Sequence, residues 1–102
     1  MSKYKDAESI IQTGRYCYQC GREKCGGEYI ALERHHVMNG NPNRKKAEQY
    51  GLWVYLCPPC HRKVHAEFAL RYHLKQTAQR EAMKTYGWSV DDFRRIFGKN
   101  YL

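Results

Sequence analysis

The sequence predicts a single small α+β domain, and three observations lead there. The chain has 102 residues, short enough that folding buries only about 60–70% of the surface the unfolded chain exposes, so an apolar core of this size is marginal without a staple. Short runs of β-branched and aromatic residues alternate with segments of helical periodicity. Five cysteines and five histidines stand among them, in a chain with 18 Lys plus Arg against 10 Asp plus Glu and a formal net charge of +8. No run approaches the ~20 consecutive apolar residues of a membrane span, and the first residues have no apolar stretch behind them to make a signal peptide. These features point to a cytoplasmic chain and disfavour the collagen-like, disordered, transmembrane and disulfide-scaffold classes. In a reducing compartment, an odd number of cysteines arranged as two C-x-x-C pairs reads as a metal site.

The elements follow in order. Residues 4–12 predict a short amphipathic N-terminal helix, with Ala7, Ile10 and Ile11 at helical spacing and Gly14 to stop it. Cys17-Tyr18-Gln19-Cys20-Gly21 is a tight knuckle, followed by a loop containing Lys24, Cys25, Gly26 and Gly27. Residues 29–32, with Glu33 and Arg34, read as a short strand ending in His35-His36. Asn39-Gly40-Asn41-Pro42-Asn43 is loop. A helical turn over residues 45–50 is closed by Gly51. Leu52-Trp53-Val54-Tyr55-Leu56 is the strongest strand signal and delivers Cys57, and Pro58-Pro59 forbids a strand beyond. From Cys60, the intervals of His61, Val64, His65, Phe68, Ala69 and Tyr72 predict a helix of about four turns, to the neighbourhood of Leu74. Ser89 stands ahead of an acidic first turn, Asp91 and Asp92, with Phe93, Ile96 and Phe97 on one face and Gly98 behind, the pattern of a capped terminal helix. Met83, Tyr86 and Trp88 are expected to join its apolar face in a second small cluster, and Tyr29, Tyr55 and Tyr72 to fall in the core. The whole chain, 1–102, reads as one domain, with a core over about 17–74 and a helical extension over 75–102.

Two constellations carry the chemistry. Cys17-x-x-Cys20 and Cys57-x-x-Cys60 lie about forty residues apart and supply the four soft ligands of a tetrahedral structural zinc site, each C-x-x-C placing two thiolates on one turn without strain. Cys25 could replace one of the four or stay a free thiol, and the two regular pairs, which already complete the shell, favour the latter. The second constellation is His35, His36, His61 and His65. Residues four apart share a helix face, so His61 and His65 can ligate one ion together. Side chains alternate across a strand, so His35 and His36 point in opposite directions. One can complete the ligand set while the other faces a substrate. Metal on one side and a free imidazole on the other is what phosphodiester hydrolysis requires: an ion to stabilise charge on oxygen and a base of pKa about 6.5 to take a proton from water.

Glu33-Arg34-His35-His36-Val37, with Leu56-Cys57-Pro58-Pro59-Cys60-His61-x-x-x-His65, resembles the HNH or ββα-metal nuclease superfamily in its zinc-knuckle form, over about residues 17–70. The ending Asp92-Phe93-Arg94-Arg95-Ile96-Phe97-Gly98-Lys99-Asn100-Tyr101, and the run from Arg44 to Leu52, are similar to small phage and prophage proteins carrying the HNH label. The resemblance implies a zinc-stapled ββα-metal core flanked by a short N-terminal helix and C-terminal helices, in a protein of a bacterial host cell. It implies His35 as metal ligand, His36 as general base, and His61 and His65 as the remaining ligands of a Mg2+, Mn2+, Ni2+ or Zn2+ ion. One position departs from the pattern. The family's middle Asn, which holds the base-bearing loop, is replaced by Leu52, and Asn39, Asn41 or Asn43 of the loop are the candidates to stand in for it.

Arg34, Arg44, Lys45, Lys46, Arg62 and Lys63 cluster in sequence around this site, a distribution that suits a phosphate backbone and makes DNA the expected partner. The function expected is a phage-type HNH-like endonuclease that hydrolyses DNA. The alternative is a catalytically weak or inactive zinc-bound phage protein that binds DNA or inhibits a host defence protein, as an anti-CRISPR would. His73 is expected to be an exposed or packing residue.

Overall fold

The structure, a computed structural model, describes residues 8–25, 27–40 and 42–102, and of Cys25 the backbone alone. Eight elements follow one another: β1 (Lys24–Cys25), β2 (Glu28–Tyr29), β3 (Glu33–His36), α1 (Asn43–Tyr50), β4 (Trp53–Leu56), α2 (Pro58–Ala66), α3 (Phe68–Tyr86) and α4 (Val90–Phe97). The predicted α+β class is what the chain adopts. β1 and β2 form a minimal antiparallel hairpin, and β3 pairs antiparallel with β4 in the register Glu33↔Leu56, Arg34↔Tyr55, His35↔Val54, His36↔Trp53. Directly opposed residues share a face. Val54 and Leu56 are fully buried, so Glu33 and His35 lie on their face while Arg34 and His36 lie on the other with Trp53 and Tyr55.

One core sits under this ladder. Leu52, Val54, Leu56, Val64, Leu74, Ala78, Phe93 and Phe97 belong to a single buried cluster. The second cluster expected around α4 is therefore an extension of the first: Phe93 and Phe97 reach the common core, and Trp88 and Ile96 pack against it. Tyr50 stacks edge-on against Tyr86, Trp88 and Phe97 at the rim. Of the three tyrosines assigned to the core, Tyr72 packs against it and Tyr55 is half-buried. Tyr29 is 69% exposed, because the two-residue strand that carries it has only its own hairpin partner to cover it.

The N-terminal segment differs from its prediction. Residues 4–7 lie outside the described residues, and residues 8–12 form no helix. Their hydrogen-bonding groups line the outer edge of β4 instead. Ile10 N–H donates to Gly51 O at 2.9 Å, Ser9 Oγ to Trp53 O at 2.5 Å, and Tyr55 N–H donates to Gln12 Oε1 at 2.8 Å. An uncovered strand edge leaves N–H and C=O groups without partners, and capping it outweighs the few bonds so short a helix would make. Gly51 permits the approach: it closes α1 at φ 73°, and a Cβ there would stand 2.2 Å from Glu8 O.

The long helix predicted from Cys60 is two helices. Glu67 adopts an extended conformation, φ −108° and ψ 111°, and caps both α2 and α3. No proline or glycine marks the break. His73 consequently lies on α3, not on the helix of His61 and His65, and is exposed. The short strand predicted over residues 29–36 is likewise divided, since β2 ends at Tyr29 and β3 begins at Glu33.

The terminal helix is capped as its sequence requires. Ser89 Oγ accepts from Asp92 N–H and Ser89 N–H donates to Asp92 Oδ2, each at 3.0 Å, a reciprocal pair that satisfies two helix-end donors. Ser89→Ala is expected to cost about 1 kcal/mol and to lower the melting temperature by about 4–8 °C, measured by thermal circular dichroism.

Candidate metal centres and histidine cleft

The first site begins as two turns. The knuckle at Cys17 closes with Gly21 N–H donating to Cys17 O at 2.7 Å and Cys17 N–H to Arg22 O at 2.8 Å. Cys57 leaves β4 as the N-cap of α2, with prolines in the first helical positions, where a missing N–H costs nothing. Cys60 follows in the first turn. Tyr18 N–H donates to Tyr55 O at 2.8 Å, which fastens the knuckle to β4 and brings the two pairs together. The four sulfurs lie within 4.8 Å of one another, and Cys20 Sγ stands 4.0 Å from Cys57 Sγ. Ligands at about 2.3 Å around a tetrahedral ion are separated by about 3.8 Å, so the spacing fits one.

Their charges are unequal. Burial opposes ionisation of Cys17, but N–H groups of Cys57, Cys20 and Gln19 aimed at its sulfur outweigh it and hold the thiol below its ordinary range. Cys60 is pushed far up, by burial first and then by the neighbouring sulfurs. Four thiolates at this separation repel one another unless a cation sits among them, and the positive end of α2 favours the anionic form. The cluster could therefore hold a metal ion.

The second site lies on the inner face of β3. His35, only 4% exposed, presents Nδ1 at 3.3 Å from His61 Nε2, and His65 Nε2 stands 3.1 Å from the same atom. Ring nitrogens at about 2.0–2.1 Å from a tetrahedral ion are separated by about 3.3 Å; the two separations at His61 Nε2 match that spacing, and one ligand atom from each of the three rings lies within 4.8 Å of the others. His61 and His65 share a face of α2 at i, i+4, as predicted. Burial first, then the charges of His61, His65, His36 and Lys75, lower the pKa of His35 to about 4. It is neutral at pH 7, the form that ligates a metal.

Two carboxylates that sequence reasoning passed over orient these rings. His61 Nδ1 donates to Glu33 Oε1 at 2.8 Å, which leaves Nε2 as the lone-pair nitrogen facing His35 and His65. Glu33 precedes His35 by two, on the same face of β3, so strand alternation was a usable signal. On the opposite face, His36 Nε2 donates to Glu48 Oε2 at 2.6 Å, with side chains 15% and 22% exposed. Glu48 also pairs with Arg34, whose guanidinium lies 3.8 Å over the Trp53 ring. Glu48 belongs to α1, and nothing in the spacing of twelve residues announces its contact with His36.

Both faces open on a cleft of about 260 Å³, lined by the three inner histidines with His36, Arg34, Arg44 and Asn39. The other basic residues assigned to the site are distributed differently. Lys46 Nζ donates to Ile96 O at 2.5 Å and acts as a structural tie, while Lys45, Arg62 and Lys63 are exposed. Of the loop asparagines, Asn43 Nδ2 donates to Phe97 O at 3.0 Å, Asn41 lies outside the described residues, and Asn39 borders the cleft. Leu52 is fully buried, and its carbonyl accepts from Val37 N–H at 3.0 Å. The side chain of Cys25 also lies outside the described residues.

Comparison with known proteins finds no matching family model, and no match among curated proteins or solved structures.

Structural metal sites contribute folding free energy directly. Cys20→Ser is expected to lose the cysteine-bound ion and most of the helical circular dichroism. Unchanged metal content by elemental analysis, with an unchanged spectrum, would contradict the four-sulfur site.

Proposed function

We propose that the chain is a metal-dependent endonuclease of the HNH or ββα-metal type that hydrolyses DNA phosphodiester bonds, its fold stapled by zinc at Cys17, Cys20, Cys57 and Cys60. The observation that carries this reading is the division across β3: three imidazoles at metal-ligand spacing on one face, and on the other His36, held by a carboxylate. An ion at His35, His61 and His65 would supply charge stabilisation to the non-bridging and leaving oxygens.

The chain's own residues account for the rest. Because His36 Nε2 is engaged by Glu48, Nδ1 is the basic nitrogen. It takes a proton from the attacking water as the water oxygen bonds to phosphorus and the leaving P–O bond breaks, with bulk water protonating the leaving oxygen. Glu48 steadies the imidazolium that results, as a carboxylate does for a catalytic histidine. Arg34 and Arg44 border the cleft as cations for the phosphate. The loop that the family's Asn would hold has other ties here: the Val37–Leu52 backbone bond continues the ladder past His36, and Glu48 orients the base. Divalent ions of several kinds suit an imidazole set, since affinity alone does not select among them.

A DNA-binding protein on the same scaffold is the competing reading, and the apolar residue at position 52 favours it. Plasmid relaxation with magnesium, manganese or nickel separates the two. The nuclease reading expects metal-dependent nicking that His36→Ala abolishes; plasmid bound but uncut with every ion supports the binder. Glu48→Gln is expected to lower the nicking rate on the order of 10–100-fold while metal content stays unchanged.

A further inference from the structure

The end of the chain is fastened to α3 with unusual care. Gln79, fully buried, accepts from Tyr101 N–H at 2.8 Å and donates to Asn100 Oδ1 at 2.8 Å, and Gln76 Nε2 donates to Tyr101 O at 3.0 Å. Burying an amide is costly unless its bonds are made, and here they fix a single tail conformation. The consequence is electrostatic. Lys75 Nζ lies 5.5 Å and Lys99 Nζ 5.4 Å from the centre of the Tyr101 ring. Arg71 stands one turn before Lys75 on the same helix face, its guanidinium bonded to the carbonyl of His65. Among the described residues no acidic side chain pairs with any of the three. Burial, then Arg71 and Lys99, shift Lys75 below the usual lysine range. Lys75 thus stands within electrostatic reach of both Arg71 and Lys99, and Arg71 is tied to the backbone of a histidine of the cleft.

We infer that Arg71, Lys75 and Lys99 form an anion site that receives the sugar-phosphate backbone of DNA alongside the histidine cleft. This extends the DNA-directed reading but does not depend on cleavage. Like charges held in proximity lose their mutual repulsion when an anion enters, and each neutralised backbone phosphate releases counterions. Tyr101, itself buried, offers its ring to each ammonium group in a cation–π contact that steadies it.

The test is duplex binding by fluorescence anisotropy across a salt series, with no divalent ion added, comparing the full chain with the double variant Lys75→Gln/Lys99→Gln. Circular dichroism and metal content establish that the variant is folded. The site predicts weaker binding and a slope of log K against log salt smaller by about 1–2, since each phosphate contact contributes about 0.9. It also predicts that Lys75→Arg/Lys99→Arg restores the slope. An unchanged slope in the glutamine variant overturns the proposal. So does a variant that differs only in losing competition by inorganic phosphate at constant ionic strength, which would mark a site for free phosphate. Plasmid nicking is read separately, so an inactive protein with the predicted slope change would defeat the nuclease reading and leave this site standing.

Discussion

The register of β3 on β4 is the constraint from which the rest follows. Opposing His35 to Val54 and His36 to Trp53 sends the first imidazole inward to α2 and the second outward to Glu48. A slip of one residue would exchange them. The register is held by Val54 and Leu56, both fully buried, each worth about 1.5–3 kcal/mol of removed apolar surface. Exposing them would cost several times the net contribution of a hydrogen bond. The apolar residues of β4 therefore decide which histidine meets His61 and which meets Glu48.

The two clusters are mechanically one object. Cys60, His61 and His65 all lie on α2, and Cys57 caps it, so an ion held among the sulfurs would fix the helix that presents two of the three imidazoles. Glu33 completes the link by bonding His61 from β3. A small chain with a marginal core gains more from such a staple than a large one does, and here the same device would set the geometry of the cleft.

Much of this was legible in the sequence. Paired C-x-x-C motifs identified the sulfur cluster, the i, i+4 spacing paired His61 with His65, strand alternation required that just one of His35 and His36 join them, and the serine–aspartate pattern announced the capped α4. What escaped was tertiary in origin. Residues 8–12 have a helical pattern, but the open edge of β4 recruits Ser9 and Gln12. The break at Glu67 has no local breaker, since Lys63 O and Arg71 N–H close helices on either side of it. The contact of Glu48 with His36 and the approach of Lys99 to the ring that Lys75 also meets arise between separate elements, which periodicity within one element does not report.

The most direct test of the account is a cobalt titration of metal-free protein followed by absorption spectroscopy. Two steps are predicted: one equivalent with the intense charge-transfer bands of sulfur ligation, then a second without them that disappears in His61→Ala. A single sulfur-ligated step, unchanged by His61→Ala, would contradict the claim that the β3–β4 register builds a second metal centre.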